Sequence, residues 1–239
     1  MFGPVFALEL MRERRRGVYW RLLPWGYAAL LAFIVVVVWH DALPAQRSLQ
    51  PFDVPALLIP GRVRQVIDQH FLVLFLLTPA LTATSFGEEK AKGTLADLFT
   101  TSLTSLEIVG GKLVARSLQV VSILLPSLPI LFIVGGYAGV PVTFFAALLI
   151  VSLLVVVGLG AVGVLCAVVC KHTSAAILLA YALVGVGGLL ASLVLPALDP
   201  LATLELASES TAPRTLALFV GEAATAWLVV ALVCFAVAV

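Results

Sequence analysis

Hydrophobic positions gather into six long runs, near Leu22 to Trp39, Phe71 to Phe86, Ser117 to Tyr137, Thr143 to Val169, Ser174 to Ala197 and Thr215 to Val239. About 20 apolar residues cross the ~30 Å hydrocarbon core as an α-helix, the one single-segment conformation that satisfies its own backbone hydrogen bonds there. The second run is short for a span and borrows from Val66 to His70. The Gly135-Gly136-Tyr137-Ala138-Gly139-Val140-Pro141 break separates the third from the fourth. The pattern predicts an all-α, polytopic membrane protein with six transmembrane helices, forming one domain over residues 1–239.

Two polar segments interrupt this pattern. At the start, Phe2, Val5, Phe6 and Leu10 recur at helical spacing while Glu9, Arg12, Glu13 and Arg16 occupy other faces, which predicts an interfacial amphipathic helix over residues 1–20. Such a helix serves either as an anchor on anionic lipid or as a docking element. The second interruption, Gly87 to Arg116, contains two pairs with capping-box spacing, Thr94 with Asp97 and Thr104 with Glu107. The first pair starts a short helix carrying Leu95, Leu98 and Phe99 as an apolar ridge. The second leads through Ile108 and Val109 into the third span. Thr100, Thr101 and Ser102 favour a turn between them.

Composition agrees: 62% of residues are hydrophobic, 11% are charged and the mean hydropathy is +1.16, outside the range of soluble domains. With the N-terminus inside, Arg12, Arg14, Arg15, Arg16, Arg21, Lys90, Lys92, Lys112, Arg116 and Lys171 are cytoplasmic, and Arg47, Arg62, Arg64 and Arg214 are not. Ten basic residues against four place both termini on the inner side of a cytoplasmic membrane. The first run is too long for the apolar core of a signal peptide, and no small-x-small cleavage pattern follows it. Cys166, Cys170 and Cys234 fall in or at the ends of spans, where free cysteine packs as a small apolar residue. No second ligand pair accompanies Cys166, Cys170 and His172, so neither a metal nor a cofactor is expected.

The run Glu89-Lys90-Ala91-Lys92-Gly93-Thr94-Leu95, then Leu98, and later Glu107-Ile108 with Gly111-Lys112-Leu113, resembles the cytoplasmic loop of type-2 ATP-binding cassette (ABC) transporter permeases. Leu77-Thr78-Pro79-Ala80-Leu81-Thr82 before it also fits. The chain departs from the family at Thr101-Ser102, where Thr-Pro is frequent. The resemblance implies that loop 87–116 holds a coupling helix that docks on a separate ABC ATPase subunit. Glu88, Glu89, Lys90, Gly93, Thr94, Leu95, Leu98 and Phe99 would make that contact, and Glu107 and Lys112 would fix the loop to the third span. It further implies a second permease subunit, identical or related, around a translocation path, and membrane-dipping helices over residues 196–214, where Pro196, Asp199, Pro200 and Pro213 interrupt an apolar stretch. Membrane lipids are the remaining partner; no nucleic acid is expected.

Two absences bear on function. Gly110-Gly111-Lys112 is not part of a G-x-x-x-x-G-K-[ST] run, so the chain is not expected to bind or hydrolyse ATP itself. Only Glu222, about two turns into the last span, stands out as an ionisable group at membrane depth. It reads as interface exposure, as a helix–helix hydrogen bond, or as part of a substrate path. An ion-coupled secondary transporter or channel would place paired charges in several spans. An intramembrane enzyme would cluster acid–base residues, whereas His40, His70 and His172 fall at the ends of different spans. Pro126 and Pro129 predict a kink in the third span, and Gly158, Gly160 and Gly163 predict close helix packing in the fourth. Gly185, Gly187, Gly188 and Ser192 make a similar small-residue face in the fifth.

Overall fold

The structure, a computed structural model, describes residues 5–6, 8–9, 11, 18–40, 54–93, 103–137, 142–194 and 213–239. Every regular element among them is helical: α1 (Val18–His40), α2 (Val54–Ala83), α3 (Gly87–Lys92), α4 (Ser105–Leu124), a 3-10 turn (Leu125–Ser127), α5 (Leu128–Tyr137), α6 (Val142–Val169), α7 (Thr173–Val194) and α8 (Pro213–Ala238). Residues 5, 6, 8, 9 and 11 are also helical. Four stretches are long and apolar enough to cross a membrane: Gln65–Ala83, Ser105–Ile133, Phe144–Val169 and Val220–Ala238. The first and fifth predicted runs appear as shorter apolar stretches, Leu22–Val37 and Thr173–Gly187. The expected membrane-dipping segment lies outside the described residues except for 213–214, which open α8 with Pro213 at a position where its missing N–H removes no helical bond.

α6 is the central helix and packs against α8, α2, α7 and α4. It is apolar all round, as a helix surrounded by others must be, and Val151, Val155 and Val156 are fully buried in its middle. Its glycines set how closely the neighbours approach. A Cβ on Gly158 would lie 2.4 Å from Trp227 Cε3 of α8, and one on Gly163 only 1.9 Å from Thr82 Oγ1 of α2. A Cβ on Gly160 would sit 3.1 Å from Leu113 Cδ1 of α4. Gly185 and Gly187 of α7 have nothing within 4 Å of that position, so among the described residues the two are not used for close packing.

The prolines break the third span as predicted. Proline at 129 cannot donate to the carbonyl of Leu125, and the Leu128 N–H bonds that carbonyl instead, which tightens the chain into the 3-10 turn between α4 and α5. At the other end of α4, Thr104 Oγ1 accepts from the Glu107 N–H at 3.3 Å and Glu107 Oε2 accepts from the Thr104 N–H at 2.9 Å, the reciprocal cap that the spacing predicts.

α2 runs out at Ala83 into a turn, and α3 follows at once. Gly93 stops α3 with φ 70°, a left-handed conformation in which glycine carries no Cβ penalty. The short helix predicted to start at Thr94 lies outside the described residues. A small apolar cluster joins Val5, Phe86, Ile108, Ala167 and Ala238. The N-terminal helix, the turn after α2, the start of α4 and the ends of α6 and α8 therefore share one end of the bundle.

In the N-terminal helix, Val5 of the predicted apolar face is buried and Phe6 is half-buried, and Glu9, which the pattern assigns to another face, is buried with them. Val5 and Glu9, one turn apart, point inward, while Leu8 and Met11 are exposed. Glu9 was placed on the polar face by its charge; what turns it inward is a partner on α4.

Candidate functional site

At the shared end, α4 projects Lys112 and Arg116 from one face, as their i, i+4 spacing requires. Both are buried, with exposures of 2% and 4%. Lys112 Nζ has three protons and donates them to Glu9 Oε1 at 2.9 Å, Glu89 Oε1 at 3.0 Å and the Ser85 carbonyl at 2.8 Å. The same ammonium stands 4.9 Å from the centroid of the Phe86 ring. Arg116 Nη2 lies 3.6 Å from Glu9 Oε2, and its Nη1 donates to Gln119 Oε1 at 3.0 Å. Two cations thus face two carboxylates, contributed by three separate parts of the chain: the N-terminal helix, α3 and α4.

Isolated buried charges are expensive, and opposed pairs with their hydrogen bonds made are tolerated. Each member of this node therefore needs the others in place, which fixes the N-terminal helix and the α2–α3 turn against α4. The residue after Glu89 ties α3 in a second direction. Lys90 Nζ donates to the carbonyls of Ala167 and Cys170, each at 2.5 Å, at the C-terminal end of α6. There a cation satisfies carbonyls that have no helical partner and complements the helix dipole. Desolvation by burial lowers the pKa of Lys90 from its ordinary value.

A second polar group lies deeper, inside the Gln65–Ala83 stretch. His70 is 2% exposed and bridges α1 and α6. Ser152 donates its one hydroxyl proton to the Leu148 carbonyl at 2.7 Å, so Ser152 Oγ accepts from His70 Nε2 at 3.2 Å. In the neutral imidazole Nδ1 then accepts from the Tyr27 hydroxyl at 3.1 Å. His70 and Ser152 border a cavity of about 40 Å³ whose other walls include Val121, Leu124, Leu128 and Val156. His70 was expected at the end of a span; it lies within one because α2 begins well before the apolar run that marks it.

Of the residues expected to contact an ATPase, Glu89 and Lys90 are bound within the chain as described, and Gly93 caps α3. Glu88 belongs to α3, and its side chain is outside the described residues, as are Thr94, Leu95, Leu98 and Phe99. Glu107 caps α4, and Lys112 joins that helix to the turn and to α3. Glu222 is exposed on α8, its carbonyl accepting from Thr225 Oγ1 at 2.9 Å, away from the charge node and from the His70 cavity. Among the described residues no three His, Cys, Asp or Glu side chains are placed to hold a metal ion.

Sequence reasoning missed Glu9, Arg116, Tyr27, His70 and Ser152. For the first two a signal existed: a Lys and an Arg at i, i+4 leading into an apolar helix require carboxylates nearby, and Glu9 shares a helix face with Val5.

Compared with models of known protein families and with curated proteins, the sequence finds no match. The fold itself defines the class: an all-helical protein with several helices long and apolar enough to span a membrane.

Proposed function

We propose that the chain is the membrane-spanning permease subunit of an ABC exporter, driven by ATP hydrolysis on a separate cytoplasmic ATPase. In this reading α1 and α7 complete a set of six spans, both termini face the cytoplasm, and two permease subunits enclose the path. The observation that carries the proposal is the charge node. A loop that receives force from a motor has to be fixed rigidly to the spans it moves, and Glu89 and Lys90 fix α3 to α4 and to α6 at once. The segment 94–99, which follows α3 directly, would then be the part offered to the ATPase.

An ion-coupled transporter is the second reading, and His70 is the observation in its favour, as an ionisable side chain buried inside a span. It is one group with all its described bonds made, whereas coupling calls for sites that gain and lose ions.

Leu98→Asp and Phe99→Asp test the first reading. A charge placed in an apolar contact costs several kcal/mol when desolvated unpaired, and about 1.4 kcal/mol is tenfold in affinity. Each variant is expected to insert and express normally, to lose its ATPase in pull-down and to lose transport. Intact pull-down and transport in both variants would remove the coupling role of the loop.

A further inference from the structure

We infer that the cavity beside His70 is a binding site for the acyl chain of a membrane lipid, entered from the side of the bundle between Leu125 and Leu153. The cavity measures about 40 Å³ and lies between two walls. One is a face of α6 that carries Leu153 and Val156; the other is the end of α4 with the 3-10 turn and the start of α5, carrying Leu124, Leu125 and Leu128. Val156 and Leu124 are buried, whereas Leu125 is 59% and Leu153 49% exposed. The cavity therefore has an inner end and a rim at the outer surface of the bundle.

Depth identifies the medium at that rim. His70 lies about 20 Å along α2 from Ala83, and Val156 about 20 Å along α6 from Val169, both stretches ending at the side that carries the charge node. In a hydrocarbon core of about 30 Å that depth is inside the apolar layer, so the rim faces acyl chains. Wall chemistry excludes the other small occupant. The volume would admit a water, but a buried water needs about two to four polar partners. His70 and Ser152 are the polar side chains at the walls, and their bonds are taken: Tyr27 and Ser152 engage the two ring nitrogens, and Ser152 donates to the Leu148 carbonyl. A single lone pair on Ser152 Oγ is left, and an alkyl chain needs no partner at all. A chain seated there touches α4 and α6, the two helices that Glu89 and Lys90 of α3 hold at the node end. The inference depends on the membrane assignment and not on the transport reading.

The test places the full chain in phosphatidylcholine nanodiscs doped with phosphatidylcholine that carries a diazirine mid-chain, and maps the labelled residues by peptide mass spectrometry after photolysis. Leu72, exposed on α2 at nearly the same depth, reports chains that stay outside the bundle. The expected result is labelling of the buried Leu124 and Val156 as well as Leu72. Leu128→Phe and Leu149→Phe, each adding bulk from one wall, should abolish labelling of Leu124 and Val156 and leave that of Leu72 unchanged. Labelling of Leu72 without Leu124 and Val156 in the parent chain overturns the inference, as does unchanged labelling of those two in both variants. Labelling of Val156 by a small water-soluble diazirine but not by the lipid assigns the cavity to water, and lipid labelling that is lost in discs holding two copies of the chain assigns the rim to a second copy; either result overturns it.

Discussion

Replacing Lys112 by Met removes the centre of the charge node while keeping side-chain length and apolar bulk. The ammonium makes three hydrogen bonds of 2.8–3.0 Å, two of them to carboxylates that are 8% exposed or less. With Lys112 gone, both carboxylates lose the ammonium, while Arg116 Nη2 still lies 3.6 Å from Glu9 Oε2. Breaking a buried pair by removing one partner costs about 3–5 kcal/mol, because the surviving charge stays buried. For a chain of this size that corresponds to a loss of roughly 6–20 °C in Tm, from about 2–4 °C per kcal/mol. Thermal unfolding of the purified protein in detergent, followed by size-exclusion fluorescence, measures it. The double variant Lys112→Met with Glu89→Gln restores one cation to one carboxylate and should recover a substantial part of the loss. A Tm within about 2 °C of the parent for Lys112→Met, the size of a solvated surface pair, would refute the reasoning. So would a double variant less stable than the single one.

Three further outcomes follow from the packing and the topology. Gly163→Ala forces a methyl to within 1.9 Å of Thr82 Oγ1 and is expected to destabilise by about 1–3 kcal/mol; adding Thr82→Ala should restore only part, because Thr82 Cβ itself stands at 2.9 Å. Tyr27→Phe removes the donor to His70 Nδ1 and should cost about 1–3 kcal/mol in thermal unfolding, while leaving membrane insertion unchanged. In whole cells, a membrane-impermeant thiol reagent should label Gln50→Cys and Ser208→Cys but not Ala91→Cys or Thr173→Cys; labelling of Ala91→Cys from outside would reverse the proposed orientation.

The helices were legible because hydrophobic runs and caps are local. The Thr104–Glu107 cap, the break at Pro126 and Pro129 and the tight packing of Gly158 and Gly163 all depend on residues a few positions apart or on the absence of a side chain. The node was not legible in the same way. Lys112 and Glu9 are separated by 103 positions, so the pattern around each shows that a counter-charge is needed and not which residue supplies it. Helical spacing and charge put Glu9 on a polar face, and the resemblance offers Glu89 and Lys90 to a partner; single charged residues seldom sit inside, but paired ones do. His70 was misplaced for a different reason. The apolar run that marks the second span starts at Phe71, but α2 begins at Val54, so the polar residues before the run are helical too.

The six residues of α3 have a mechanical meaning. A helix of that length is about 9 Å long, too short to buckle. Because neighbouring residues of this strut grip α4 and the tail of α6, it works as a yoke. A load on it reaches α4 through Glu89 and α6 through Lys90 at the same time. The pair meets again farther along the bundle, where Val121 and Leu124 of α4 face Ser152 and Val156 of α6 across the cavity beside His70. One short helix therefore holds the two long helices that form opposite walls of that gap, and a load on it is carried to both walls.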